Sequence, residues 1–215
     1  MTDTPLLLGH RGSRANTRIP ENTLASFDLA LKHGCQGFEF DVRRTNCGKA
    51  VICHDPRYRG VNIAKAKYER LNLPLLQEVL AAYHKRAFLD IELKIPGLES
   101  EVLLALKKNP PQHGHVVSSF LPGVLAELSL RSSNIPLGFI CDKKNHLPRW
   151  RELPAQFVIP HHSLITSALV EELHKAGKTV ITWTVNDKAT MRRLAKWEVD
   201  GIISDQTQKL VQTLS

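Results

Sequence analysis

Long apolar runs are absent from this chain of 215 residues. Its longest unbroken ones span a handful of positions, where a membrane-spanning helix needs about 20. No secretory leader is expected either. The opening MTDTPLLLGH has neither a basic head nor a long apolar stretch, which predicts a cytoplasmic protein. Cysteine is scarce: Cys35, Cys47, Cys53 and Cys141 show no C-x-x-C spacing, so no disulfide framework is expected and reduced thiols are the default. Acidic residues are the minority charge, 21 against 29 basic ones, for a formal net charge of +8. That excess suits nucleic acid, an anionic membrane surface or a small anionic substrate. No zinc-finger spacing or RNA-stacking signature accompanies it, which leaves nucleic acid little support. The basic residues gather in RYRGVNIAKAKYER, Arg57 to Arg70, and in KKNHLPRWR, Lys143 to Arg151. A solvated face is the ordinary reading of both.

What is present is a globular composition, 42% hydrophobic and 23% charged, in a length that makes one domain over 1–215. Short apolar segments alternate with helical patterns along the whole chain. Strands are expected at Leu6–Gly9, Gly37–Arg43, Phe88–Lys94, Val116–Phe120, Leu137–Cys141, Phe157–Pro160, Thr179–Val185 and Gly201–Ser204. Between them, helices are expected from Asn22 or Thr23 to His33, then at Leu75–His84, Glu99–Lys108, Gly123–Arg131, Ser167–Ala176, Ala189–Trp197 and Thr207–Leu214. Lys143–Arg151 reads as an irregular segment or a short helix. About eight β–α pairs argue a parallel sheet, closed as a (β/α)₈ TIM barrel with a short insertion after the second strand. An open doubly wound sheet would want a Gly-rich phosphate loop after its first strand, and GHRGSR lacks one.

Barrels of this kind carry their chemistry where strands end. Those ends hold His10 and Arg11, Glu39 and Asp41, His54, Glu92 and Lys94, Ser118 and Ser119, and Trp183. Glu39 and Asp41 stand two apart and so share one side of a strand, as do Glu92 and Lys94. Three carboxylates around one point, Glu39, Asp41 and Glu92, suit one divalent cation, Mg²⁺ or Ca²⁺, rather than zinc. The plainer alternative is that Glu39 and Asp41 form ion pairs with Arg43, Arg44 or Lys94. His10 and His54 each follow an apolar strand beside that cluster, which favours general acid–base work over a structural role. Pro20–Glu21–Asn22–Thr23 reads mainly as a turn and helix cap, Gly12 and Gly48 as turn glycines, and Trp183 as either core or pocket wall.

The stretch LLLGHRGSRANTRIPENTLASFDLALKHGCQGFEFDVRRTNCGKAVICHDP, Leu6 to Pro56, followed by LDIELK, SSF, WTVN and DGIISD, resembles the glycerophosphodiester phosphodiesterase family across nearly the whole chain. The resemblance implies a TIM-type barrel and a divalent cation held by Glu39, Asp41 and Glu92. It implies His10 and His54 as the acid–base pair, and Arg11 and Lys94 on the phosphate. Trp183 is the candidate pocket wall. The implied reaction releases an alcohol and sn-glycerol 3-phosphate from a glycerophosphodiester, within lipid and glycerol metabolism. Two positions depart from the family pattern: Cys47 replaces an acidic residue before Gly48, and Pro56–Asn72 is short and basic where the family usually carries a longer insertion. A lysophospholipase D-like activity, with Arg57–Arg70 against anionic lipid, is the alternative enzyme reading. A phosphate-binding barrel without turnover is the alternative from outside the enzymes.

Overall fold

A computed structural model describes residues 4–215. Eleven strands appear in chain order: β1 (Leu6–His10), β2 (Gly37–Arg44), β3 (Ala50–Ile52), β4 (Arg57–Tyr58), β5 (Val61–Asn62), β6 (Phe88–Leu93), β7 (His115–Ser119), β8 (Leu137–Cys141), β9 (Phe157–Pro160), β10 (Thr179–Thr182) and β11 (Gly201–Ser204). The helices are α1 (Leu24–Lys32), α2 (Leu76–Tyr83), α3 (Glu99–Lys108), α4 (Pro122–Arg131), α5 (Ser167–Lys175), α6 (Lys188–Lys196) and α7 (Thr207–Leu214). A 3₁₀ segment, Leu147–Arg151, stands in for a helix between β8 and β9. Eight strands, β1, β2 and β6 to β11, pair in parallel, and β1 pairs with both β2 and β11, so the sheet closes on itself. The molecule is therefore the single TIM barrel expected, and β3 adds to it as an antiparallel edge on β2. Among the described residues no helix is long and apolar enough to cross a membrane.

Alternation along each strand sorts its side chains between two cores. Phe38, Phe40 and Val42 of β2 point outward to the helices, where Phe27 stacks on Phe38 with ring centroids 4.2 Å apart and Tyr83 meets Phe38 edge-on. Burying each such ring contributes roughly 2–3 kcal/mol. Leu8, Val116, Ile140, Ile159, Ile181 and Ile203 form a second cluster inside the barrel. This apolar plug closes the barrel below its mouth. The same alternation that turns Phe38 and Phe40 outward turns Glu39 and Asp41 inward, above the plug.

The insertion after β3 is built around its own small cluster. Ile63, Ala66, Leu71 and Leu73 pack with Val51 and Leu75, while a β4–β5 hairpin and two 3₁₀ turns carry the chain between. Arg57, Arg59, Lys65, Lys67 and Arg70 are all exposed, in line with a solvated basic face. Element ends differ from expectation by one to three residues. Asp187, for example, caps α6 through its side chain on Thr190 N, so that helix starts at Lys188. The expected strand to Val185 stops at Thr182.

Candidate active site

The first βα turn positions two residues at once. After β1 the backbone turns at Arg11, whose φ of 51° lies in the left-handed region, and at Gly12, φ 81°. A side chain on Gly12 would come within 2.5 Å of Ser26 Oγ, so glycine is required where this turn crosses α1. Arg11 is held in its costly conformation from several sides: its N–H donates to Glu39 Oε2 at 3.0 Å, and its carbonyl accepts from Asn22 N and Ser26 Oγ, both at 3.0 Å. Its guanidinium then reaches Glu21 at 2.8 Å and lies 3.2 Å from Asp41.

Pro20–Thr23 does more than cap a helix. Thr23 is the N-cap, and its hydroxyl and the Ser26 side chain form a reciprocal capping box. Asn22, at φ 58°, turns inward instead, and its amide donates to Asp41 Oδ2 at 2.8 Å. Glu21 joins Arg11 to Arg14, accepting from the Arg14 Nε at 2.5 Å. Residue types and spacing show only the turn here; the contacts to Asp41 and Arg11 depend on the barrel bringing β2 alongside.

Glu39, Asp41 and Glu92 converge. Each offers one oxygen, and these lie within 4.8 Å of one another, all buried. The parallel register of β2 and β6 sets Asp41 opposite Glu92 and Glu39 opposite Asp90. Lys94 bonds Glu92 at 2.8 Å and stands 3.3 Å from Asp41. Of the plainer ion pairs, the one with Lys94 therefore forms. Arg43 instead donates to the carbonyl of His54, and Arg44 to that of Gly97. Three buried acids cannot share one pocket as anions without cost. Burial, then Asp41, Glu92 and Asp90, push Glu39 well above the usual carboxylate range. Burial and Asp41 raise Glu92 to about 8. Asp41 is the exception: burial opposes its charge, but Lys94, Arg11 and the Asn22 amide outweigh it and hold the group below its ordinary value. Glu39 Oε1 and Asp41 Oδ1 remain buried with no hydrogen-bond partner. Buried carboxylate oxygens that accept no hydrogen bond, in an oxygen-only donor set, fit a hard divalent cation.

The two histidines share one pattern in different surroundings. His10 Nδ1 lies 2.7 Å from Asp205 Oδ1, and its Nε2 faces Glu39 at 3.8 Å. His54 Nδ1 lies 2.8 Å from Asp55 Oδ1 at the rim. His10 is buried, whereas the Asp55 side chain is 73% exposed. Burial chiefly lowers the His54 pKa. Below the carboxylates, Asp90 receives the Ser118 hydroxyl at 2.5 Å, and burial raises it to about 7. Nothing in the sequence singles out Asp90: it is one more alternating position of LDIELK, and only the closed barrel turns it toward the acids.

These groups line one cavity of about 120 Å³. His10, Arg11, Glu39, His54, Asp90, Glu92 and Lys94 form its polar side, and Phe120, Ile140, Ile159, Trp183 and Ile203 the apolar one. Trp183 is thus pocket wall. Its indole N–H is tied to the Ile159 carbonyl at 3.0 Å, and its ring meets Phe120 and His161 edge-on. The catalytic, metal and phosphate candidates all stand at this mouth, Asp41 among them through its contacts to Arg11 and Lys94. Ser119 does not; it is buried and bonds the Leu93 carbonyl.

Fold and mouth together define a (β/α)₈ enzyme whose carboxylates, histidines and cations face a single small pocket. The family model for the glycerophosphoryl diester phosphodiesterases matches residues 10–209, and the chain belongs to that family of phosphodiester hydrolases. It is 28% identical to the glycerophosphodiester phosphodiesterase of Caldanaerobacter subterraneus subsp. tengcongensis, over 96% of each chain. The solved glycerophosphodiester phosphodiesterase of Thermotoga maritima superposes with a TM-score of 0.84 at 28% identity, covering 98% of both chains. A phosphodiesterase of Oleispira antarctica, solved with the product sn-glycerol-3-phosphate, gives 0.86 at 26% identity, over 98% of this chain and 96% of its own.

Proposed function

We propose that this chain hydrolyses glycerophosphodiesters to an alcohol and sn-glycerol 3-phosphate, using one divalent cation, Mg²⁺ or Ca²⁺, held by Glu39, Asp41 and Glu92. The observation that carries this reading is the trio of buried carboxylates, two of whose oxygens accept no hydrogen bond, flanked by two histidines and two cationic side chains at one cavity. The bound cation supplies charge neutralisation at the phosphate. Arg11 and Lys94 orient the phosphate and offset the charge that builds on its oxygens. One of His10 and His54 takes the proton of the attacking hydroxyl, and the other returns a proton to the leaving alkoxide. Asp55 acts as a carboxylate, so His54 Nδ1 donates and its Nε2 is left for proton transfer. The attacking group is water, or first the 2-hydroxyl of the substrate's own glycerol, which expels the alcohol and leaves a cyclic phosphate that water then opens to sn-glycerol 3-phosphate. Trp183 and Phe120 wall the organic part of the substrate and exclude water from the polar side.

The test is direct. Purified protein is incubated with glycerophosphocholine and glycerophosphoethanolamine, with Mg²⁺, Ca²⁺ or EDTA, and glycerol 3-phosphate is assayed. Release that needs metal is expected. Full activity in EDTA would overturn the cation site, and silence with both metals would overturn the substrate.

A further inference from the structure

Just past the last strand stands a residue that the acid–base chemistry above leaves out. Asp205 follows β11 and accepts on both oxygens. Oδ1 takes His10 Nδ1 at 2.7 Å and lies 3.4 Å from Arg14; Oδ2 takes the Asn186 amide at 2.7 Å. Three donors around one carboxylate hold its pKa down to about 2, against the opposing effect of burial. Asn186 is itself pinned, because its Oδ1 accepts from Ser204 Oγ at 3.1 Å and from the Asp205 N–H at 3.0 Å. The amide therefore has one orientation, with its NH₂ toward Asp205. Arg14 closes a circuit through Glu21, which it shares with Arg11.

We infer that Asp205 is a positioning residue that fixes His10 as the Nδ1–H tautomer, with Nε2 toward the cavity, and that Asn186 fixes Asp205 in turn. The inference rests on His10 acting in proton transfer, as proposed above. An imidazole can hold its proton on either nitrogen, and only one arrangement leaves Nε2 as the acceptor. A carboxylate at Nδ1 forces that arrangement because it cannot donate. Replacing it with an amide inverts the choice. In Asp205→Asn, the NH₂ of Asn186, pinned at 2.7 Å, outweighs the 3.4 Å contact of the exposed Arg14 and demands an oxygen, so the new side chain turns its own NH₂ to His10. Nδ1 must then accept, and Nε2 carries the proton. The substrate-binding groups are not altered by this exchange, so KM has no reason to move with kcat.

The holoenzyme with Mg²⁺ is compared with Asp205→Asn and Asp205→Glu by ¹⁵N NMR of the histidine ring nitrogens at pH 9 and by steady-state kinetics on glycerophosphocholine. Wild type should show His10 protonated at Nδ1, and Asp205→Asn protonated at Nε2, with kcat lower by about 10²–10⁴-fold and KM within about threefold. Asp205→Glu keeps the charge and should recover at least about tenfold of the loss. A wild-type His10 protonated at Nε2 would overturn the inference even if no variant folds, as would Asp205→Asn with unchanged kcat. Wild type inactive on the diester but with the Nδ1–H tautomer would overturn the substrate reading while leaving the role of Asp205 standing.

Discussion

The barrel mouth has two unlike halves. Strands β1, β2 and β6, with the turns that follow them and β3, bring every charged group of the cavity: His10, Arg11, Glu39, His54, Asp90, Glu92 and Lys94. The opposite wall, from β8, β9 and β11 and the segments after β7 and β10, brings Ile140, Ile159, Ile203, Phe120 and Trp183. On the apolar side the lining continues the plug inside the barrel, since Ile140, Ile159 and Ile203 belong to that same cluster. The polar side interrupts the plug, at the expense of burying mutually repelling acids. The contrast teaches that the apolar wall is part of the electrostatics. It keeps the dielectric low, which strengthens every charge interaction opposite and makes the uncompensated carboxylates so unfavourable without a cation.

The largest break in this contrast comes from the acids. Glu39→Gln should lower kcat/KM by about 10³-fold or more and abolish Mg²⁺ uptake seen by titration calorimetry. The metal-free variant should melt no lower than wild type, because the amide keeps an oxygen for the Arg11 N–H and removes a carboxyl that burial and its acidic neighbours disfavour. A drop in melting temperature would mean that Glu39 serves the fold. Next is His54→Ala, for which a kcat loss of about 10²–10⁴-fold is expected with the fold unchanged by circular dichroism; full turnover would remove it from proton transfer.

A cation should relieve the polar half. At about a hundred times its dissociation constant, Mg²⁺ or Ca²⁺ adds about 2.7 kcal/mol. For a chain of this size that is a rise of roughly 5–10 °C in melting temperature, reversed by EDTA. An unchanged midpoint would count against the cation site. The apolar half is expected to act on binding. Trp183→Ala should raise KM by roughly tenfold and change kcat less, the reverse of the His54 split.

The smallest effect is a pH dependence at the seam between the halves. Asp205 has a folded-state pKa of about 2, below the unfolded value near about 3.9, so its stabilisation is complete above about pH 4 and is lost as pH falls through about 2. The unfolded chain takes up the proton first, which makes the slope positive. Between about pH 5 and pH 2, wild type should lose on the order of 2 kcal/mol more than Asp205→Asn in urea titrations. Equal losses would place the pairing with His10 and Arg14 outside the acid response.

Much of this site is legible in the amino-acid sequence, and the reasons are local. Glu39 and Asp41, or Glu92 and Lys94, face one side because strand periodicity is two, and polar residues ending apolar strands of a βα repeat announce a barrel rim. What is not legible lies on partners far apart in the chain. Asp205 sits 195 residues from His10, and no spacing rule connects them. Asn22 and Glu21 carry the chemistry of a turn, and their second role depends on where β2 passes. Asp90 has the same parity as Glu92, but that it meets Ser118 and the acids below the mouth follows from the register of three strands.

The amino-acid sequence alone determined the alternation of strands and helices, the number of barrel strands and the chemical types gathered at their ends. Each of those follows from periodicity and composition within a few residues. Only the closed barrel decided which oxygens lie within reach of one another, which cation pairs with which acid, and which carboxylate orients His10. Those outcomes depend on strand register and on burial, which alter the energy of a charge by several kcal/mol and have no counterpart in an unfolded chain.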